Sequence, residues 1–292
     1  MKEIGDLEEY KVSTRIISAV VATALAVVLL ILHSTPIFNI AIGLISACAL
    51  FELFRAVGVD KNKHHALACY IYAVVDAIMP WFLNKGWLTF FTYKCYMGIF
   101  VLTMCILFLK EHNTVEHKDL IFMLGSAILI PYSFGTIVSM SLLGGEGVFL
   151  IVLSLCAAWL ADSGAYFAGT FFGKHKLCPE ISPKKTIEGV AGGVVCNGIF
   201  MLIISFVYSK INSDITINYI GVFIAGMIAA IIGLVGDLTA SVIKRQTGIK
   251  DYGNIMPGHG GVLDRFDSVL LVAPFMFYMI SQGWIIKYMP IF

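Results

Sequence analysis

Nine long apolar runs constrain this chain more than any other feature, at roughly 15–33, 36–54, 64–83, 87–109, 120–143, 147–173, 188–209, 217–243 and 266–286. A run of about 20 apolar residues is the length at which a helix crosses the hydrocarbon core of a bilayer. Composition agrees with that reading. The chain is 59% hydrophobic and 13% charged, against about 45–50% and about 25% for soluble domains. A soluble enzyme, a disordered chain and a nucleic-acid-binding tail are therefore excluded, and a formal net charge of +1 offers nothing to a polyanion such as nucleic acid. At roughly 30 residues per span and loop, the 292 residues make one helical bundle with no room for a large soluble domain. The expected fold is all-α: a polytopic integral membrane bundle of about nine transmembrane helices.

Basic residues set the orientation. With nine spans, sixteen Lys and Arg fall on the side of the N-terminus, while only Lys85, Lys210 and Lys287 fall on the other and Lys94 lies within the fourth span. By the positive-inside rule the N-terminus is cytoplasmic. The start of the chain does not read as a cleavable leader. No internal repeat is visible, and the seven cysteines contain no C-x-x-C pair. They read as small buried hydrophobes. The first five spans, residues 1–143, are plain and read as structural. Residues 144–292 carry the polar clusters, all at the cytoplasmic ends of spans six to nine, and read as a catalytic region.

The densest cluster runs from Gly236 to Ser268. Asp237, Ser241 and Lys244 are spaced i, i+4, i+7 and share one helix face. Asp237 lies about 10 Å along the helix from Lys244, at 1.5 Å per residue. A carboxylate at membrane depth costs about 2.5–3.5 kcal/mol, so it faces a wet cavity, a cation or a partner charge. A glycine-rich loop follows, with Gly248, Gly253, Gly258, Gly260 and Gly261, of the kind whose backbone N–H groups can cradle phosphate. It leads to Asp264, Arg265 and Asp267. Asp237 and Asp264 are expected to face each other, ringed by Lys244, Arg245, Lys250 and Arg265. Hard oxygen ligands with open positions suit Mg²⁺, which is commonly held by one or two carboxylates plus substrate phosphates. Carboxylate, metal, phosphate and flanking bases are the equipment of phosphoryl or nucleotidyl transfer. His259 in this loop donates to a phosphate, acts as acid or base, or fixes the turn.

A second cluster runs from Asp162 to Gly193. Asp162 lies about 18 Å before Lys174 along its helix, a costly depth for a charge. Lys174, Ser182, Lys184, Lys185 and Thr186 then precede a helix beginning near Glu188. Ser/Thr and Lys at a helix N-terminus make an anion site, although the two lysines also serve topology. Gly189, Gly192 and Gly193 read as close helix packing. The Gly169–His175 stretch is one residue short of a P-loop and ends in His rather than Ser/Thr.

Taken together, Ser241-x-x-Lys244-Arg245, Lys250-Asp251, Pro257-Gly258-His259-Gly260-Gly261 and Asp264-Arg265-x-Asp267 resemble the signature of the phosphatidate cytidylyltransferase (CDP-diacylglycerol synthase) family. The stretches Asp162-Ser163-x-Ala165-Tyr166 and Ser182-Pro-Lys-Lys-Thr186-x-Glu188-Gly189 look like the same family. The resemblance covers residues 155–270. It implies a membrane enzyme that makes CDP-diacylglycerol and pyrophosphate from CTP and phosphatidic acid with Mg²⁺, and that forms homodimers. It implies Asp237 and Asp264 as metal carboxylates, with K⁺ as a second cation. Lys244, Arg245, Lys250, His259 and Arg265 are implied on the phosphate side, with Ser241 beside them. Asp162, Lys174, Ser182, Lys184, Lys185, Thr186, Glu188, Asp251, Gly260, Gly261 and Asp267 are the expected substrate-binding set. The compact length fits a bacterial plasma membrane with a cytoplasmic active site. Two alternatives stand beside this: a CTP-dependent transferase acting on an ether lipid or a polyprenol, and a cation-coupled transporter using Asp162 and Asp237 as ion sites. One-sided polar clusters argue against transport, which needs access from both faces.

Overall fold

A computed structural model describes residues 2–87, 90–212, 215–255, 258 and 260–287. Its helices are α1 (Lys2–Ile31), α2 (Pro36–Val57), α3 (Lys63–Asn84), α4 (Phe90–Lys110), α5 (His117–Ser141), α6 (Gly147–Phe172), α7 (Ile187–Ile211), α8 (Tyr219–Gln246), α9 (Leu263–Phe266) and α10 (Val269–Ser281). Six of them, α2, α3, α5, α6, α7 and α8, are long and apolar enough to cross a membrane. Three of the nine expected runs give shorter apolar helices among the described residues: Ile16–Ile31, Cys95–Lys110 and Val269–Ser281. The last is trimmed at both ends, by the turn at Ser268 and by Gln282–Gly283, where Gly283 has φ +70°. The chain is a helical, multi-pass membrane protein. All seven cysteines are free.

The segment between α6 and α7 carries regular structure of its own. Residues 176–186 form an antiparallel β-hairpin of β1 (Lys176–Cys178) and β2 (Ser182–Thr186), with Lys176 opposite Thr186 and Cys178 opposite Ser182. Pro179 and Pro183 mask it in the sequence, because proline reads as a breaker.

The helices form two compact units, residues 1–138 with 247–265, and residues 139–246 with 266–292. In the first, α2 starts at Pro36 and ends at Gly58, whose φ of +80° lets its N–H reach the carbonyl of Phe54. Gly43 lets α2 approach α3 so closely that a Cβ there would lie 2.9 Å from Val74 Cα. Asn39 donates to Ala77 O across the same contact at 3.1 Å. The Tyr96 hydroxyl donates to Tyr72 O (2.9 Å) and joins α4 to α3.

In the second unit, α6 and α7 pack through small residues. A Cβ at Gly193 would lie 2.8 Å from Ala165 Cβ, and one at Gly164 would lie 2.9 Å from Cys196 Cβ. Small-residue stripes of this kind bring helix backbones together in membranes. Buried Asn197 on α7 donates to Ala157 O on α6 (2.9 Å) and to Gly226 O on α8 (2.8 Å), so one amide ties three helices. On the other side of α7, Val195, Ile199, Ile203 and Phe206 stay exposed, the spacing of a lipid-facing stripe.

Candidate active site

The C-terminal unit brings residues of both sequence clusters together at Lys185. In β2 alternate side chains leave opposite faces, so Lys184 is exposed while Lys185 turns inward. The Lys185 ammonium is paired with the Asp237 carboxylate on α8 and lies 3.8 Å from Asp162 Oδ1 on α6. Asp237 and Lys185 are only 22% exposed, whereas Asp162 is 54% exposed. Asp162 sits ten residues before the end of α6, about 15 Å along the helix. Lys185 therefore supplies the partner charge that an acid at this depth requires. Asp267 lies in the turn between α9 and α10, which packs against α8 one residue before Asp237. The Asp267 Oδ1 accepts the N–H of Ser268 at 2.7 Å. Gly236 lets α8 approach this turn, since a Cβ there would lie 2.7 Å from Asp267 O.

Helix α8 continues through Gln246, so the expected face of Asp237, Ser241 and Lys244 is helical throughout. Arg245 donates from Nε to Ile181 O (3.3 Å) and ties the end of α8 to the hairpin turn. Thr186 and Glu188 are occupied with structure. The Thr186 hydroxyl caps α7 by accepting the Gly189 N–H at 3.2 Å. Cβ atoms at Gly169, Gly173 and Gly189 would each come within 2.9 Å of that hydroxyl, so all three glycines make room for the cap. The Glu188 carboxylate accepts the N–H groups of Lys174 (3.1 Å) and His175 (3.2 Å), and meets His175 Nδ1 at 2.6 Å. It fixes the turn from α6 into β1. Lys174 is exposed, and Ser182 faces Cys178 in the hairpin.

The glycine-rich loop belongs to the other unit. Asp237 and Asp264, expected to face each other, therefore lie in different units. Asp264 Oδ2 accepts the N–H of Tyr252 at 2.7 Å and of Gly261 at 3.0 Å, closing the loop on itself. Gly260 has φ +85°, a backbone that glycine allows without strain, and a Cβ there would lie 3.0 Å from the same oxygen. Lys250, Asp251 and Arg265 are exposed. Pro257 and His259 lie outside the described residues.

One residue of this loop's environment was not among the expected ones. Glu52 on α2 is buried and accepts the N–H groups of Val262 (3.0 Å) and Leu263 (2.8 Å). The only sequence signal is an acid inside an otherwise apolar stretch, Phe51-Glu52-Leu53-Phe54. With Asp264, it occupies the amides of Gly261, Val262 and Leu263, so a phosphate meeting this loop meets other groups.

Among the described residues no three His, Cys, Asp or Glu side chains converge closely enough to hold an ion by themselves. The carboxylate oxygens of Asp237 and Asp162 are the donor type that a hard cation takes, and the Lys185 ammonium now holds them.

A family model described as "Cytidylyltransferase family" matches residues 13–282 of this chain. The chain belongs to the cytidylyltransferase family. It is 34% identical over 273 residues to a phosphatidate cytidylyltransferase of Bacillus subtilis (strain 168), covering 91% of this chain and 97% of the relative. A Rickettsia bellii (strain RML369-C) protein of the same name is 37% identical over 182 residues, 62% of this chain and 78% of its own. One from Staphylococcus aureus (strain COL) is 44% identical over 138 residues, 47% of this chain and 51% of its own.

Proposed function

We propose that this membrane cytidylyltransferase joins CTP to phosphatidic acid, giving CDP-diacylglycerol and pyrophosphate for phospholipid synthesis. The observation that carries the reading is the meeting of the two polar segments at Lys185, which pairs with Asp237 and approaches Asp162. A chain of this family, similar over nearly its whole length to a relative named for that activity, supports it further.

The chemistry follows from charge. An oxygen of the phosphatidate phosphate attacks the α-phosphorus of CTP, a new P–O bond forms, and the bond to the bridging oxygen of the β-phosphate breaks with its electron pair leaving on pyrophosphate. A phosphate monoester has its second pKa at about 6 and is anionic at pH 7. A strong general base is unnecessary, and positioning with charge neutralisation dominates. Lys185 and Lys244 offer positive charge to the phosphates, and Arg245 holds the hairpin against α8. Asp237, with Asp162 and Asp267 beside it, would hold Mg²⁺ together with substrate oxygens; Asp264 as a further metal carboxylate rests on the resemblance alone. Bound there, the metal would neutralise charge on the departing pyrophosphate.

A nine-span topology with a cytoplasmic N-terminus puts this cluster at the cytoplasmic face of a bacterial plasma membrane, in the 144–292 region. That part rests on the distribution of basic residues. A K⁺ beside the Mg²⁺ and a homodimeric assembly rest on the resemblance alone. The test is pyrophosphate release from CTP by purified full-length protein in detergent. Release requires phosphatidic acid and Mg²⁺ if the reading holds. Release that needs no lipid, or that prefers an ether lipid or a polyprenol as acceptor, counts against it.

A further inference from the structure

We infer that Glu52, on a helix that reads as purely structural, is a positioning residue for the reaction, acting through the backbone of the glycine-rich loop. The inference rests on the proposed function and deepens it. Three consecutive N–H groups at the start of α9 are claimed by two carboxylates. Gly261 donates to Asp264 (3.0 Å), Val262 to Glu52 Oε1 (3.0 Å) and Leu263 to Glu52 Oε2 (2.8 Å). Successive backbone amides of this kind form a concavity that attracts an anion, and here the protein supplies the anion from α2.

The loop is shaped to admit that carboxylate. A Cβ added to Gly253 or to Gly261 would collide with the Glu52 carboxylate itself. Loop residues on both sides of the carboxylate thus give up their side chains to make room for it. Glu52 is 2% exposed and sits five residues from the end of α2, about 7.5 Å along the helix axis. A rigid apolar helix therefore fixes the position of the segment that bears Asp264 and Arg265. The Arg265 N–H bonds to Val262 O (3.0 Å), so both residues are indexed to the backbone that Glu52 holds. Partners of this kind orient catalytic groups without touching substrate, and their loss typically costs about 10- to 100-fold in activity.

The experiment uses full-length protein in detergent with Glu52→Gln, Glu52→Leu and Gly253→Ala. Glutamine keeps the shape but has a single acceptor oxygen, and its NH₂ faces an amide N–H. Two readouts are taken: steady-state pyrophosphate release, and hydrogen exchange of the peptide covering 252–264. We expect kcat to fall about 10-fold in Glu52→Gln and about 100-fold in Glu52→Leu. KM for CTP stays within about 3-fold of wild type, because the damage is to alignment rather than to binding. Gly253→Ala falls between them, and exchange rises in 252–264 but not in α7 or α8. Wild-type kcat in Glu52→Gln and Gly253→Ala overturns the inference, as does a loss of kcat without faster exchange in the loop. If Glu52→Leu does not fold, the other two variants decide. A wild-type protein that releases no pyrophosphate sinks the proposed function instead. The exchange readout then decides whether Glu52 holds the loop at all.

Discussion

Acidic residues do two different jobs in the two units. In the C-terminal unit Asp162 and Asp237 are balanced by a side-chain cation, Lys185, on a two-stranded hairpin. In the N-terminal unit Glu52 and Asp264 are balanced by backbone amides of the loop they hold. A side-chain ion pair can exchange its partner for a substrate or a metal, because the lysine has rotatable bonds and moves aside. A carboxylate bonded to successive backbone amides cannot let go without remodelling the loop. The type of partner separates acids that can exchange it from acids that hold a loop in place.

The proposed Mg²⁺ offers the largest test of that contrast. Chelation with EDTA should abolish pyrophosphate release, and Mg²⁺ should restore it, while hydrogen exchange in the 252–264 loop stays unchanged. A loop that loosens on chelation would mean that the metal holds Asp264 in place of the amides. Next in size, Lys185→Met leaves Asp162 and Asp237 without their shared cation and should lower kcat about 100-fold. Residues in direct contact couple by about 0.5–3 kcal/mol. The Lys185→Met/Asp162→Asn pair should therefore recover part of that loss in a double-mutant cycle. Strict additivity would break the claim that the ion pair is the functional unit.

Gly261→Ala sharpens the other half. The new methyl meets the Glu52 carboxylate, and overpacking a filled site typically costs about 1–3 kcal/mol. Both the thermal midpoint and kcat should fall. Asn197→Ala should give the smallest effect. Interhelical hydrogen bonds in membranes average about 0.6 kcal/mol each, so losing two costs about 1 kcal/mol of stability, with kcat within about twofold. A large kcat loss there would place function at the α6–α7–α8 junction.

Much of this was legible in the sequence because it is local. The i, i+4, i+7 spacing of Asp237, Ser241 and Lys244 survives in α8, and the glycines at 189, 192 and 193 do face α6. The hairpin was hidden by its prolines, so the opposite orientations of Lys184 and Lys185 followed only from the strand pairing. The capping role of Thr186 and the turn-fixing role of Glu188 were hidden because helix caps and anion sites draw on the same residue types. Glu52 was illegible for a different reason. Its partners lie about 210 residues away along the chain, and no local pattern connects an isolated acid in an apolar span with a distant glycine loop.

If the Asp237–Lys185 cluster is the reaction centre, Asp237 is the residue whose charge the reaction can least spare. The most direct test is pyrophosphate release by full-length wild type beside Asp237→Asn, with CTP, phosphatidic acid and Mg²⁺ and with thermal midpoints measured in parallel. Asparagine keeps the shape and removes the charge. Activity should fall at least about 1,000-fold, on the order of 4 kcal/mol, in a protein that melts within a few degrees of wild type. An Asp237→Asn protein that releases pyrophosphate at the wild-type rate would contradict that assignment.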